Sequence, residues 1–533
     1  MLSRAQLLAT PKAFVREATG LVRDFSAFDS LMINLVAIGV LFSFTNVIFA
    51  AEFYSGANLI VSAVVALLLC IPYASLYIIF SIAMPRSGGD YVWVSRSLSP
   101  VLGFLANFYI TLIILSFSGI TTGWGFQYGL GPMFQSFYQL SGNSFYQHMA
   151  TTFANTNYDF LSSVVVSGVS GYLIIRGTRK LAWFQWIAGL GSIVGALIFV
   201  AVLFAANPAT VASNFSTYAG VSYASVLSTA ASQGISTGFT ANGTLLGSVY
   251  AALTLIAFMY SSYFAGEVKR VRRSQIIAQY GSLVTAAALQ VLIAAALYHA
   301  FGSDFISAIS QLGLTSSYPL PLLPFGQYLL GFVTNNFLII GVVNVCFMVM
   351  CWGACAAYIF TSSRNIFAWS FDRVIPSRLS TVGSRYGSPY LVVAVATAIS
   401  MTYAFLDYYT TVLSTVLSYS LLGWWIAVFI VALAGIVFPF RRRDIFDSSP
   451  TIVKIKLGGL PLVSLLGGML AVIAAFLAYS VISPAYVGVL NATYVYAVIV
   501  LLLLGVVIFY ISYAYHRRKG LSLDLAYREV PPE

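Results

Sequence analysis

Long apolar runs alternate with short polar segments along the whole chain, and twelve of these runs are long enough to cross a membrane. A membrane-spanning helix needs about 20 mostly apolar residues. The runs cover residues 31–52, 58–84, 100–128, 159–176, 182–206, 246–264, 276–301, 328–362, 389–406, 410–438, 460–482 and 492–515. The pattern predicts an all-α integral membrane protein with twelve transmembrane helices, of which the third and the eighth are unusually long.

The composition of the chain agrees with this pattern. Hydrophobic residues make up 59% of the 533 residues and charged residues only 8%, whereas about a quarter of an ordinary soluble domain is charged. A water-soluble fold could not bury this much apolar surface. The lipid bilayer is therefore expected to be the solvent of the chain and its largest partner.

The positions of the basic residues predict the orientation of the chain. All 26 Lys and Arg residues fall before the first run, in every second connection, or in the C-terminal tail. Basic connections stay on the cytoplasmic side, so we predict a multi-pass protein of the cell membrane with both termini in the cytoplasm. The net charge of +11 then reflects anionic lipid at the inner leaflet and not nucleic acid.

The connection between helices 2 and 3 has an unusual sequence, MPRSGGDYVWVSRSLSPVLGF at residues 84–104. Pro85 ends helix 2 because proline lacks the backbone donor, and Gly88 with Gly89 permits a tight turn. The pattern P-x-S-G-G-x-Y, followed by R and P-x-x-G-F, resembles the amino acid–polyamine–organocation (APC) superfamily of permeases. The matching residues are Pro85, Ser87, Gly88, Gly89, Tyr91, Arg96, Pro100, Gly103 and Phe104.

Two further stretches support this resemblance. Residues 266–275, GEVKRVRRSQ, are similar to the segment that closes helix 6 in such permeases, and residues 363–376, SRNIFAWSFDRVIP, are similar to the segment after their helix 8. The resemblance covers residues 28–440, and the last two helices follow by count.

The resemblance implies the 5+5 inverted repeat of APC and LeuT-like transporters, with discontinuous helices 1 and 6 and two additional C-terminal helices. We expect a cytoplasmic N-terminal segment at 1–30, a first five-helix repeat at 31–206, an outer loop at 207–245 and a second repeat at 246–438. A cytoplasmic loop at 439–459, helices 11 and 12 at 460–515 and a cytoplasmic tail at 516–533 would follow. An outer counterpart of the 2–3 loop is expected at 302–327, with a short amphipathic helix that starts at Phe305.

Transporters of this type bind substrate where helices 1 and 6 are interrupted, because freed amides attract a carboxylate and freed carbonyls attract an ammonium group or a coupling ion. Counting from the Gly-Gly loop places the interruption of helix 1 at residues 43–46, although the family's usual Gly-Ser-Gly is missing there. Counting back from Glu267 places the interruption of helix 6 at residues 256–258. The predicted substrate-binding residues are Ser43, Phe44, Thr45, Asn46, Asn107, Thr254, Ala257 and Phe258, and the predicted transport-path loop contains Ser87, Gly88, Gly89 and Tyr91.

The resemblance implies a secondary active transporter that moves amino acids across the membrane by alternating access. A transporter of a polyamine or another organic cation, and an amino acid exchanger, are the alternatives. A cationic substrate would favour an acidic group in the cavity, and the sequence shows none. An enzyme is not expected, because His148, His299 and His516, the three histidines of the chain, lie in a loop, near a helix end and in the tail.

No cofactor and no metal site are predicted. Cys346, Cys351 and Cys355 share one predicted helix, but their spacing matches no common zinc pattern. A coupling ion, H⁺ or Na⁺, is left open because helix 5 lacks the lysine that some proton-coupled relatives carry. Glu267, at the inner end of helix 6, is expected to pair with a nearby Lys or Arg, and the oligomeric state is also left open.

Overall fold

The computed structural model describes residues 20–383, 385–410, 420–482, 492–519, 523–527 and 529. Twelve of its helices are long and apolar enough to span a membrane, which confirms the predicted all-α membrane fold. Helices 1 to 12 are Ala27–Phe53, Leu59–Ala83, Pro100–Ser141, Thr156–Ile175, Thr178–Ala205, Ala241–Tyr263, Val271–Phe301, Phe337–Phe371, Tyr390–Tyr409, Ser420–Arg441, Leu462–Ile482 and Val495–Arg518. Much of the predicted N-terminal segment and part of the predicted tail lie outside the described residues.

Shorter elements connect these spans. The short α-helices of the described chain are Asp90–Ser97, Ser144–Phe153, Pro208–Ala219, Tyr223–Ser232, Ser303–Leu312, Gly326–Val333 and Arg443–Ser448. Short 3-10 helices cover Ala265–Glu267, Ser377–Ser380 and Leu523–Tyr527, and the strands Lys456–Leu457 and Leu460–Pro461 pair antiparallel. Ser303–Leu312 includes the amphipathic helix that was predicted from Phe305.

Helix 1 is interrupted, but four residues earlier than the sequence count placed the break. The first half ends at Ile38, Gly39 adopts a left-handed conformation with φ 65°, Val40–Phe42 form a 3-10 turn, and the second half begins at Ser43. Glycine reaches positive φ at little steric cost because it has no Cβ. The prediction of a break at residues 43–46 was therefore wrong, since those residues form the first turn of the second half.

Helix 6 changes its backbone conformation at the predicted position. Its α-helix runs from Ala241 to Leu255 and is followed by a 3-10 helix over Ile256–Tyr263. A tighter 3-10 stretch inside a longer helix commonly marks a hinge or a strained site. The change at Ile256 agrees with the predicted interruption at residues 256–258.

Helices 1 and 6 form the centre of the bundle. In each of these two helices, 89% of the most apolar stretch is buried inside the protein, whereas only 17% of the corresponding stretch of helix 12 is buried. The 3-10 part of helix 6 packs against the first half of helix 1, and helices 2, 5, 7 and 8 pack around the pair. The two irregular segments are thus enclosed by protein, where non-helical backbone is tolerated in a membrane.

The connections that are rich in Lys and Arg meet on one face of the bundle, here called the basic face. Arg96 of the 2–3 loop pairs with Asp372 after helix 8, and Lys269 after helix 6 pairs with Asp24 before helix 1. Arg442 of the 10–11 loop donates to the backbone carbonyl of Arg96. These contacts agree with the alternation of basic and neutral connections along the chain.

Candidate substrate site

A cavity of about 140 Å³ lies beside the interruptions of helices 1 and 6. Its walls come from both halves of helix 1, from the bend of helix 6, and from helices 3, 8 and 10. Ile38 and Phe42 flank the helix 1 interruption, and Ile256 begins the 3-10 part of helix 6. The site is therefore positioned by the two backbone irregularities.

The polar part of the cavity joins helix 1 to helix 6. Asn46 Nδ2 donates to Thr254 Oγ1 at 2.7 Å, and Thr254 donates to the Tyr250 carbonyl at 3.2 Å. Thr45 donates to the carbonyl of Phe42 at 2.8 Å, within the first turn after the interruption. These neutral groups offer hydrogen bonds without adding a charge to the cavity.

The rest of the wall is apolar and largely aromatic. Phe42 packs edge-on against Trp124 and Phe347, with ring centroids 5.7 and 5.8 Å apart. Ile113 and Leu421 extend this surface. None of the described residues that line the cavity is Asp, Glu, Lys, Arg or His, so the wall matches an uncharged side chain.

On the basic face, the 2–3 loop is bound tightly to the end of helix 6. The Gly88 amide donates to the Tyr263 carbonyl at 2.9 Å. Gly88 has φ 94°, and a Cβ at this position would lie 2.4 Å from Ala368 Cβ. A glycine is needed here both for the backbone conformation and for the close approach of helix 8.

Asp90 is the buried acid of this loop. Its side chain accepts hydrogen bonds from Asn107 Nδ2 at 2.5 Å and from the hydroxyls of Tyr77 and Tyr263 at 3.0 Å each. Burial disfavours the carboxylate and raises the pKa of Asp90 to about 6, although these three hydrogen bonds oppose the shift. A single carboxyl group thus ties helices 2, 3 and 6 together.

A buried ion pair closes the basic face at a second place. Arg364 of helix 8 binds Glu267 through two hydrogen bonds of 2.6 and 2.8 Å, and each side chain is 1% exposed. The Glu267 carbonyl also accepts from the amides of Asp24 and Phe25, just before helix 1. The ends of helices 1, 6 and 8 are therefore joined by one polar cluster.

The opposite face is closed by aromatic rings instead. Phe325 packs against Phe49 of helix 1 and Tyr128 of helix 3, with both ring-centroid distances at 5.2 Å. Farther from the cavity, Phe53 stacks on Tyr250 at 5.6 Å. These aromatic rings cover the cavity on the face opposite the basic face.

Comparisons with known proteins agree with a membrane transporter built from twelve helices. A family model described as amino acid permease matches residues 25–510. The chain belongs to the amino acid permease family. The branched-chain amino acid permease BcaP of Bacillus subtilis (strain 168) is 24% identical over 382 residues, which cover 70% of this permease and 72% of the relative. An uncharacterized protein 399 of Sulfolobus islandicus rod-shaped virus 1 is 26% identical over 84 residues, 16% of the permease and 21% of the viral protein.

The family membership and the twelve apolar helices identify the permease as a multi-pass membrane protein that transports amino acids. Membership in a transporter family also points away from an enzyme. The small-molecule partner of the permease is thus an amino acid.

The cavity brings together only part of the predicted substrate-binding set. Thr45, Asn46, Thr254 and Ala257 line it. The remaining predicted residues, which do not line it, are Ser43, Phe44, Phe258 and Asn107.

Physical reasons account for these exclusions. Phe44 faces helix 5, where its ring lies 4.3 Å from that of Phe199. The Phe258 ring packs on Tyr73, with ring centroids 5.0 Å apart, and so points away from the cavity wall. Ser43 is fully buried within the first turn of the second half of helix 1.

Asn107 serves the basic face of the permease and not the cavity wall. Besides binding Asp90, it accepts a hydrogen bond from Trp369 Nε1 at 2.7 Å. Ser87, Gly88, Gly89 and Tyr91, the predicted transport-path loop, lie in the same region; Ser87 pairs with Phe264 as an isolated β-bridge, and Tyr91 donates to Asp372 at 2.8 Å.

Sequence reasoning missed Gly39, Asp90 and the aromatic residues of helix 3. Gly39 carried a usable signal, since it is the sole glycine between Ala27 and Phe53. Asp90 escaped notice because functional acids were expected inside the spans. Trp124 could not be distinguished by pattern from other apolar residues of a long membrane helix.

Proposed function

We propose that the permease moves large neutral amino acids across the cell membrane, with its basic face and both termini in the cytoplasm. The observation that carries this proposal is the cavity wall, which combines uncharged hydrogen-bonding groups with the aromatic surface of Phe42, Trp124 and Phe347. The name of the relative BcaP, a branched-chain amino acid permease, points to the same substrate class. The alternative of a polyamine substrate is not favoured, because a multiply charged cation would lack a counter-charge in this wall.

The two helix interruptions supply complementary termini for the substrate backbone. The second half of helix 1 begins at Ser43, and the α-helical part of helix 6 ends at Leu255, both beside the cavity. Helix N-termini carry partial positive charge and C-termini partial negative charge. The substrate carboxylate is therefore assigned to the helix 1 interruption and its ammonium group to the helix 6 interruption, with Thr45, Asn46 and Thr254 as neutral partners.

Transport would proceed by alternating access around this cavity. Access from the basic face requires separation of the Gly88–Tyr263 and Arg364–Glu267 contacts, whereas access from the opposite face requires Phe325 to leave Phe49 and Tyr128. Opening one set while the other stays closed exposes the cavity to one side at a time.

Coupling to H⁺, coupling to Na⁺ and amino acid exchange are three modes by which this cycle could be driven. No cofactor is assigned to the permease, and its positive charge is assigned to the membrane surface and not to nucleic acid.

The decisive experiment is uptake into vesicles that contain the purified permease. We expect leucine, isoleucine, valine and phenylalanine to enter, and lysine and putrescine to be excluded. Imposing H⁺ and Na⁺ gradients separately, and loading vesicles with unlabelled leucine, distinguishes the three coupling modes. Faster entry of lysine or putrescine than of leucine would overturn the proposed substrate class.

Two further variants test whether this cavity is the substrate site. Thr254→Val and Asn46→Leu each remove one partner of the bond that joins helices 1 and 6, and both are expected to lower leucine uptake. Thr402→Val is the matched control, because Thr402 is exposed on helix 9 and donates to Ala398 of its own helix. Unchanged leucine uptake in the Asn46→Leu, Thr254→Val double variant would contradict the site but not the transporter.

A further inference from the structure

A second cleft lies at the basic face, between the segment after helix 8 and the end of helix 12. Its volume is about 790 Å³. One wall is the chain from Arg373 to Arg378, and the other is a face of helix 12 from Ile508 to Lys519. Among the described residues, the cleft and the substrate cavity have no lining residue in common.

The mouth of the cleft is basic. Arg373 and Arg378 line one wall, His516 and Lys519 line the other, and no Asp or Glu is among the described lining residues. The neighbouring acid, Asp372, is 1% exposed and binds Arg96 at 2.7 Å. This arrangement matches an anionic group that several cations contact at once.

The other end of the cleft is apolar and continues into the membrane-facing surface of helix 12. Ile511 and Ile508 lie about one and two turns before the basic residues of this helix, and Ile511 is 65% exposed. Tyr515 separates the apolar and basic ends, a position typical of aromatic residues at the membrane interface. A ligand that fits both ends has an anionic head and an apolar tail.

The wall after helix 8 has an unusual backbone that is held in place by helix 12. Arg373 adopts φ 63°, one of two described non-glycine residues with positive φ. Its carbonyl accepts a hydrogen bond from Ser512 of helix 12 at 3.1 Å, and the Val374 amide donates to Trp369 at 2.8 Å. Such a conformation is costly for a residue with a Cβ, so the surrounding contacts must hold this wall in shape.

We propose that this cleft binds an anionic phospholipid, with the phosphate between Arg378 and Lys519 and the acyl chains along Ile508 and Ile511. A basic pocket between membrane helices at a basic face is suited to an acidic lipid headgroup. The apolar continuation selects a lipid over free phosphate, which would use only the mouth. Asp372, the residue directly before Arg373 of the cleft wall, binds Arg96 and Tyr91 of the 2–3 loop, so the bound lipid lies beside the closure of the basic face.

The experiment compares lipid retention by the purified permease in native mass spectrometry. The protein is taken from vesicles with equal parts of phosphatidylglycerol and phosphatidylcholine, and we expect it to retain phosphatidylglycerol preferentially. Each cation near a membrane surface contributes enough attraction that its removal should weaken retention roughly five-fold. Arg378→Gln and Lys519→Gln should each show this loss, and the double variant should show a larger one.

Lys454→Gln is the matched control, since Lys454 is an exposed cation of the 10–11 loop away from the cleft. Millimolar inorganic phosphate added before the measurement should not displace the retained lipid. Equal retention of the two lipids, an equal loss in Lys454→Gln, or displacement by inorganic phosphate would each overturn the proposal. Because the readout is lipid binding, its failure is independent of the substrate assignment.

Discussion

The permease closes its two faces with different chemistry. The basic face is held by directional polar contacts among Gly88, Asp90, Tyr263, Glu267 and Arg364. The opposite face is held by contacts between aromatic rings, with Phe325 packed against Phe49 and Tyr128.

This difference has an energetic consequence. Ring contacts are individually weak and tolerate sliding, whereas a buried charge that loses its partner is strongly destabilising. We therefore expect the basic face to set the stability of the closed form, and the aromatic face to open at lower cost.

The largest effect should come from the buried Arg364–Glu267 pair. Arg364→Met leaves Glu267 buried without its partner, so the free energy of unfolding should fall by about 3–5 kcal/mol, and leucine uptake should fall with it. Thermal unfolding in detergent, together with vesicle uptake, measures both effects.

Two variants test whether the unpaired charge is the cause. The Glu267→Gln, Arg364→Met double variant should recover part of the stability, because no buried carboxylate is left uncompensated. Asp444→Asn, which breaks the exposed pair of Asp444 with Arg442, should cost less than about 1 kcal/mol. A double variant no more stable than Arg364→Met would contradict the argument.

Gly88→Ala should have the next largest effect. The added methyl group would meet Ala368 Cβ at 2.4 Å while the backbone stays at φ 94°, and overpacking of this kind costs roughly 1–3 kcal/mol. Gly142→Ala is the matched control: Gly142 has φ 68°, but a methyl group added there would meet no heavy atom of the described residues within 4 Å. We expect the control to retain uptake and Gly88→Ala to lose most of it; equal uptake by the two variants would contradict the role of this contact.

The raised pKa of Asp90 predicts a smaller effect on the same face, in which the stability of the closed form depends on pH. Its pKa of about 6 lies above the ordinary 3.8 of a hydrated Asp, so the closed form binds a proton more tightly than a form in which water reaches Asp90. Closure therefore gains stability as the pH falls through about 6, and the gain is complete below about pH 4. Between pH 7 and pH 5 this amounts to roughly 1 kcal/mol.

Thermal unfolding of the permease at a series of pH values measures this gain. Asp90→Asn keeps a neutral side chain of the same shape and should remove the dependence between pH 7 and pH 5. The phenols of Tyr77 and Tyr263 hydrogen-bond to Asp90, and Tyr73 also interacts with it electrostatically. Asp372 is paired with Arg96. An identical pH dependence in Asp90→Asn would assign the effect to another group.

The two closures also differ in how far the sequence could predict them. The Gly88–Gly89 turn follows from local residue chemistry, whereas the position of the helix 6 change follows from the family resemblance, by counting back from Glu267. The partner of Glu267 is expected nearby, yet it is Arg364, 97 residues away along the chain. Pairings of that kind depend on how helices 6 and 8 pack, which apolar periodicity does not specify.

The same limit applies to the cavity. Twelve spans follow from hydrophobicity alone, but in a chain with 40 Phe and 34 Tyr residues the pattern does not show which rings face a cavity. Phe258 was predicted to bind the substrate and instead packs on Tyr73, while Phe325, in the connection before helix 8, was assigned no role. In a membrane, the lipid-facing and cavity-facing sides of a helix are both apolar, so the usual contrast between core and surface is lost.

Phe325→Leu should produce the smallest effect and tests the aromatic side of the comparison directly. The change keeps an apolar side chain but removes the ring contacts with Phe49 and Tyr128, and each aromatic pair is worth about 0.5–1.5 kcal/mol. Because leucine keeps much of the apolar contact, we expect leucine uptake to change by less than about ten-fold and the free energy of unfolding to fall by no more than about 1 kcal/mol. Phe145→Leu, on a ring that is 58% exposed, is the control for loss of an aromatic residue in the connections of that face. A loss of stability in Phe325→Leu as large as that in Arg364→Met would show that the aromatic layer, and not the polar cluster, holds the permease closed.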